Sequence, residues 1–385
     1  MFTAGIIAEY NPFHNGHKYQ IEQTRKMGAT HIVIVMSGDS VQRGETAIFS
    51  KYERAKSALS NGADLVIELP CPYSCSNGEV FAKSAVSLLA GLGENVVNGL
   101  SFGSESGDTE MLTKAAQFSA GLNNSEILKN FLSQGMTYPQ AVHSTAKELL
   151  DENQSKLFSS PNNVLGIEYI KAINQFAGWI KPMPIKRMAV EHDSQDKSDG
   201  FASATEIRRM IRKGEDYSEF VPYKFSGKCS IPETLDKAVL LKIMTASKND
   251  VLSLPDSNED IANRFLWAVN SSPKSVEAFM QSLKTKNITM ARIRRLILHL
   301  ILGVKSEDIV PVPYGRIIGL NNRGREILAK SVNRKIPYGT SLKKLEDTSD
   351  FAKRISFLEQ NAVRFREMCS NEPFSNEYKK KITIT

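Results

Sequence analysis

Within the first 105 residues, four short apolar runs alternate with helix-length segments, and that rhythm restricts the fold more than any other feature. Ala4–Glu9, His31–Met36, Asp64–Leu69 and Val96–Phe102 read as strands. Between them, residues 17–27 continue as a helix that Gly28 can end, Lys51–Asn61 reads as an amphipathic helix closed by Gly62, and Phe81–Leu89 belongs to a third. Each connection is long enough for a crossover helix, which implies βαβ units and a parallel sheet covered on both faces.

The pattern then loosens. Residues 108–155 read as a polar helical insertion, with apolar spacing at Leu128, Phe131 and Leu132. Val164–Phe176 is a helix by period, Ile185–Val190 returns to strand character, and Ser194–Gly200 is a polar loop. Thr205–Lys213 starts a further helix, with Ser203 or Ala204 near its cap. After Gly214 strand alternation fades. Helical patterns run from Ile231 to Val304, broken at Pro255, Pro273 and Pro311–Pro313. A chain of 385 residues is long enough for two domains. The expectation is a Rossmann-like α/β domain over 1–220, containing the helical insertion, followed by a mainly α-helical, basic region over 221–385.

No run approaches the ~18 apolar residues of a membrane span, and no basic leader precedes Lys18. Cys71 and Cys75 form one loose pair, while Cys229 and Cys369 stand apart. This is neither a disulfide framework nor a good zinc spacing, so reduced structural thiols and a cytoplasmic location are expected. The net charge of +7 is common among nucleic-acid binders without being diagnostic.

The strongest chemical signal is His14-Asn15-Gly16-His17, directly after the first strand. A helix opening there offers unpaired N–H groups and a positive dipole end to an anion. Gly16 lets a nucleotide approach the backbone. Two imidazoles three residues apart can donate to phosphoryl oxygens as charge develops at phosphorus. By itself the four-residue pattern is more often a capped or solvated helix start, and position shifts the balance toward function. A zinc site is weak, since there is no Glu as in H-E-x-x-H and no third ligand, so no resident metal is assigned. The second signal, Ser203-Ala204-Thr205-Glu206-Ile207-Arg208, opens a helix after the last strand. It can cap N–H groups and supply a fixed charge to phosphate.

Together, strand–HxGH–helix and the S-x-T-x-I-R helix resemble the HxGH nucleotidyltransferase superfamily. The longer stretch Gly5–His17, with Ser37-Gly38, Val41–Glu45, Ala63–Pro70, Ser101–Glu105, Ser160–Gly166 and Ile185–Arg187, is similar to the bacterial tRNA(Met) cytidine acetate ligase family. The resemblance covers essentially the whole chain. It implies activation of acetate by ATP as acetyl-adenylate, with release of pyrophosphate, then acetyl transfer to N4 of the wobble cytidine of elongator tRNA(Met). His14, His17, Thr205 and Arg208 would be catalytic. ATP would contact Ile7, Ala8, Glu9, Tyr10, Asn11, Pro12, Phe13, His14, Asn15, Gly16, His17, Lys18, Tyr19 and Gln20, together with Gly103, Asn162 and Arg187. Asn163, beside Asn162, is the alternative by a one-residue shift. Mg²⁺ is expected with the charge of ATP. The chain departs from the family pattern at Asp39-Ser40, where Asn-Phe is expected, and at Thr46, where Pro is usual.

Arg292, Arg295 and His299 fall at i, i+3 and i+7, one face of a basic helix. This face is expected to meet tRNA phosphates by counterion release, although a basic stripe is more often solvated surface. Two rival readings share parts of this pattern. A small-molecule adenylyltransferase would not need the basic C-terminal region, and a noncatalytic nucleotide-sensing RNA binder would not need groups at the α-phosphate.

Overall fold

The computed structural model describes residues 1–187 and 200–385. The central sheet is built first from β1 (Thr3–Ala8), β2 (His31–Ser37), β3 (Leu65–Leu69), β4 (Gly99–Ser104) and β5 (Lys181–Lys186). Their spatial order is β3-β2-β1-β4-β5 and every pairing is parallel. The expected βαβ rhythm is therefore present. The last of these strands is Lys181–Lys186 rather than 185–190, and the rest of that stretch, like most of the loop expected at 194–200, lies outside the described residues.

Alternation along β2 shows how the sheet makes two cores. Val33 and Val35 face the layer of helices Gly78–Gly91 and Pro161–Phe176, whereas Ile32, Ile34 and Met36 pack with Ala55, Ala58 and Leu59 of helix Lys51–Ser60. The insertion folds as Thr109–Gly121, Glu126–Ser133, Tyr138–Leu149 and Glu152–Lys156, and buries Leu112, Leu128 and Ala141 on the first of these layers.

The C-terminal part departs from the expected division. Residues 236–302 do form a helical cluster with its own core, centred on Phe265, Phe279 and Ile293. Beyond it, however, β6 (Gly315–Leu320) joins the main sheet, antiparallel to β3, and Thr383–Ile384 pairs with β6 in turn. A boundary at 220 thus does not separate the sheet from the C-terminal region, which supplies part of it. The long helix Asp350–Cys369 reaches the same core through Ile355 and Leu358.

Buried charges lock this return. Lys51 and Arg54, which sequence alone places on an amphipathic helix, are fully buried. Lys51 Nζ lies 2.5 Å from Glu68, 2.9 Å from Glu359 and 3.0 Å from Glu377. Arg316 of β6 pairs with Glu377 at 2.6 Å. Burial disfavours the Glu377 carboxylate, but Lys51 and Arg316 outweigh it and hold its pKa at about 2. Arg54 donates to the carbonyls of Glu9 (2.6 Å) and Ser37 (3.0 Å), which joins the ends of β1 and β2. Among the described residues no helix is long and apolar enough to cross a membrane.

Candidate active site

In the order β3-β2-β1-β4-β5 the chain winds outward in opposite directions from β1. Ligands of such sheets sit beyond the carboxyl ends of the strands at that reversal, between β1 and β4. A cavity of about 400 Å³ lies there, lined by the end of β1, the start of helix Asn15–Lys26, the end of β4, helix Pro161–Phe176 and the residues before helix Ala204–Lys213.

The two histidines build the helix start from their own side chains. His14 is the N-cap, and its Nδ1 accepts the Gly16 N–H (3.1 Å), while His17 Nδ1 accepts the His14 N–H (3.2 Å). A ring nitrogen that accepts carries no proton, so the neutral tautomer of each ring has its hydrogen on Nε2. Both residues line the cavity, with ring centroids 3.8 Å apart. Gly16 has a local reason as well: a Cβ there would stand 2.8 Å from Cε1 of His14. The glycine is thus needed for the histidine cap, in addition to any backbone approach by a ligand.

Around this pair stand the other residues expected at the nucleotide. Ile7, Ala8, Glu9, Tyr10, Asn11, Tyr19, Gln20, Gly103, Asn162 and Arg187 all line the cavity. Burial raises the Glu9 carboxyl, partly countered by the N–H of Gln42, which donates to it at 2.8 Å. Tyr10 has a left-handed backbone (φ 49°), and its ring meets His17 edge-on at 4.8 Å. Its buried hydroxyl has no hydrogen-bond partner among the described residues. Asn162 Oδ1 accepts from Arg187 at 3.0 Å, and burial lowers the Arg187 pKa. The neighbouring Asn163 is committed to the turn after β4, accepting from Ser104 Oγ (2.7 Å) and the Glu105 N–H (3.0 Å). Of the two asparagines, Asn162 is the one at the cavity.

Four expected contacts fall elsewhere. Phe13 is fully buried against Tyr10, and Lys18 is half-exposed beside Glu22. Asn15 clamps the carbonyls of Gly200 (2.7 Å) and Glu219 (2.9 Å), and Pro12 is not part of the lining. Ser203 is the cap of helix Ala204–Lys213, accepting from Glu206 N–H at 3.1 Å, and it lines the cavity. Thr205 and Arg208 stand just behind: Arg208 donates to the Asn11 carbonyl (2.8 Å) and to Thr205 Oγ1 (3.3 Å). Burial lowers the Arg208 pKa, and Glu45 and Glu9 oppose that.

The basic face expected at Arg292, Arg295 and His299 is not an open surface. His299 is fully buried and its Nε2 lies 3.0 Å from the Cys75 carbonyl. Arg292 donates through Nε (3.2 Å) and Nη2 (2.6 Å) to the Asp256 carbonyl, and Arg295 lies 3.7 Å from the Asp256 carboxylate. Heptad-like spacing identifies a shared face but not what covers it. Here the cover is the 41–46 loop and the turn after helix Lys248–Leu252. A Cβ on Gly44 (φ +77°) would come within 2.3 Å of the Arg295 nitrogen, and Arg294 pairs with Glu45 at 3.0 Å. The helix therefore holds the loop that carries Gln42 and Arg43 to the cavity. Sequence reasoning did not single out these two as site residues, although both lie within the 41–45 stretch of the family resemblance.

Parallel order, the cavity at the reversal and the histidine cap define a nucleotidyl transferase of the HxGH class. A family model of the HIGH nucleotidyl transferases matches residues 1–381. More narrowly, the chain belongs to the family of tRNA(Met) cytidine acetate ligases. It is 37% identical over 365 residues to the protein of that name from Caldicellulosiruptor saccharolyticus, covering 89% of this chain and 88% of the relative. It is 37% identical over 355 residues to that of Clostridium tetani, covering 85% and 87%. The crystal structure of Thermotoga maritima TmcAL bound with alpha-thio ATP superposes over the full length of both chains, with a TM-score of 0.86 at 26% identity. The apo form I of the same protein superposes with a TM-score of 0.88.

Proposed function

We propose that this chain is an ATP-dependent ligase that activates acetate and acetylates N4 of the wobble cytidine of elongator tRNA(Met). The observation that carries the reading is the pair of backbone-locked imidazoles at a helix N-terminus inside the switch-point cavity. In the first step an acetate oxygen attacks the α-phosphorus of ATP, and the bond to the bridging oxygen breaks with its electron pair leaving on pyrophosphate. Nε2–H of His14 and His17 donate to phosphoryl oxygens as negative charge concentrates on them, and Arg208 adds a fixed positive charge behind the Asn11 carbonyl. In the second step the cytidine N4 attacks the acetyl carbon. The acyl–oxygen bond breaks, AMP leaves with the electron pair, and N4 loses a proton.

The nucleotide base belongs on the β4–β5 side, where Gly103, Asn162 and Arg187 stand. Mg²⁺ would arrive on the triphosphate, supplying charge neutralisation there. Among the described residues no cluster of three His, Cys, Asp or Glu side chains offers a metal a ready seat, and Glu105 is already engaged by Asn162 and Asn163. The tRNA is assigned to the cavity mouth, where Lys186 is exposed. A cytoplasmic location follows from the substrates.

Incubation with labelled acetate, ATP and total tRNA tests the reading. Label in RNA, dependent on ATP, is the expected result. Adenylylated small molecules without labelled RNA would overturn it in favour of a small-molecule adenylyltransferase, and ATP binding without turnover would leave a binding protein.

A further inference from the structure

The cavity spans both sides of β1, and only one side is accounted for by the nucleotide. Toward β4 and β5 it is lined by Gly103, Asn162 and Arg187, the set assigned to ATP. Toward β2 and β3 it is lined by Gln42, Arg43, Gly78 and Phe81, with Leu165 closing the corner from helix Pro161–Phe176. The reacting histidines lie between, so a second substrate has this other side to occupy.

Gly78 is the informative residue. It is the first residue of helix Gly78–Gly91, after the Asn77 cap. Its backbone does not adopt positive φ, and a Cβ added there would meet nothing closer than Gln42 Nε2 at 3.5 Å and Leu165 Cδ1 at 3.9 Å. Neither backbone strain nor collision within the protein demands glycine, in contrast to Gly16 and Gly44. What the missing methyl does is leave a bare Cα facing the cavity. A Cβ on Gly78 would make ordinary contact with both Gln42 Nε2 and Leu165 Cδ1, so a methyl bonded there fills this corner. Its walls from Leu165 and Phe81 are apolar; Arg43 lines this side as a cation, close to the Glu9 carboxylate that accepts the Gln42 N–H and close enough to Arg208 to influence it.

We propose that this corner, bounded by Gln42, Gly78 and Leu165, seats the alkyl end of the carboxylic acid substrate, with Arg43 as the cation for its carboxylate. Gly78 then limits the acid to about two carbons. The proposal rests on the ligase reading above and adds to it the site and length limit of the acid. An apolar methyl against Leu165 and a carboxylate toward Arg43 point the acid's oxygens at the histidines. A longer acid has to displace Leu165. One methylene in such a pocket changes discrimination by about 10–200-fold.

The test is ATP–pyrophosphate exchange with formate, acetate or propionate in wild type, Gly78→Ala and Leu165→Ala, set beside titration of each protein with ATP alone. Gly78→Ala is expected to raise the KM for acetate tenfold or more, to retain exchange with formate, and to leave ATP affinity unchanged. Leu165→Ala is expected to improve kcat/KM for propionate relative to acetate at least tenfold. An acetate KM within twofold of wild type in Gly78→Ala overturns the proposal. So does a parallel loss of ATP affinity, which would return the corner to the nucleotide. Should Gly78→Ala fail to fold, Leu165→Ala decides, and no gain with propionate overturns the assignment. Wild-type protein that binds ATP but exchanges pyrophosphate with none of the acids would sink the ligase reading itself, and this site with it.

Discussion

Replacing His14 by asparagine separates two jobs that the structure gives one ring. His14 Nδ1 caps the helix by accepting the Gly16 N–H at 3.1 Å, and its tautomer leaves Nε2–H as a donor in the cavity. Asparagine is among the preferred N-caps and also accepts a backbone N–H, so the cap survives. Alanine would forfeit about 1 kcal/mol of helix stability. Neither replacement can donate where Nε2–H stands. Loss of one donor to developing charge costs about 2.7–4 kcal/mol, or roughly 10²–10³ in rate. His14→Asn should therefore lower acetate-dependent pyrophosphate exchange by about 10²–10³, while its urea midpoint stays near wild type and that of His14→Ala falls. Exchange within fivefold of wild type in His14→Asn would refute the catalytic role. A loss confined to ATP affinity, with kcat intact, would refute the argument that the donor acts on the transition state.

Arg208→Ala should weaken ATP use far more than Arg209→Ala, measured by nucleotide titration. Arg208 sits behind the cavity on the Asn11 carbonyl, whereas Arg209 turns outward to Glu206 and Glu215. Arg292→Ala with Arg295→Ala should lower the unfolding temperature through loss of the bonds to Asp256, about 1–3 kcal/mol, and leave the salt slope of tRNA binding unchanged. A flatter slope would show that these side chains reach phosphates after all. Glu377 ionises at about 2 when folded, against 4.5 as its ordinary value. Its depressed folded pKa stabilises above pH ~4.5, and that contribution fades as pH falls toward ~2. Stability curves for wild type and Glu377→Gln, measured from about pH 5 down to about pH 2, should converge at the acid end; parallel curves would contradict the ion cluster.

Much of the site was legible because it is local. Strand, cap and helix follow one another within residues 3–26, so the spacing of His14, Gly16 and His17 is itself the geometry. Asn162 against Asn163 was not legible, since it turns on which side chain the Ser104–Ser106 turn consumes, about 60 positions away in sequence. Gln42, Arg43 and Gly78 were missed as site residues for a related reason. They are brought to β1 by neighbouring strands and by the helix that presses on Gly44.

The sequence by itself determined the parallel α/β alternation of the first half, the place of the histidine motif directly after the first strand and the helix that carries Arg208. Those features depend on hydrophobic period, capping residues and connection length, which act over a few residues. Only the tertiary structure decided the fate of the charges. Lys51 and Arg54 look like the wet side of an amphipathic helix, and Arg292, Arg295 and His299 like a face for RNA. Their surroundings are set by carboxylates and carbonyls that the chain supplies from far away, Glu359 being 308 residues from the buried Lys51 and Cys75 being 224 from the buried His299. A charge can be taken out of water only where its partners converge, and local sequence does not specify that convergence.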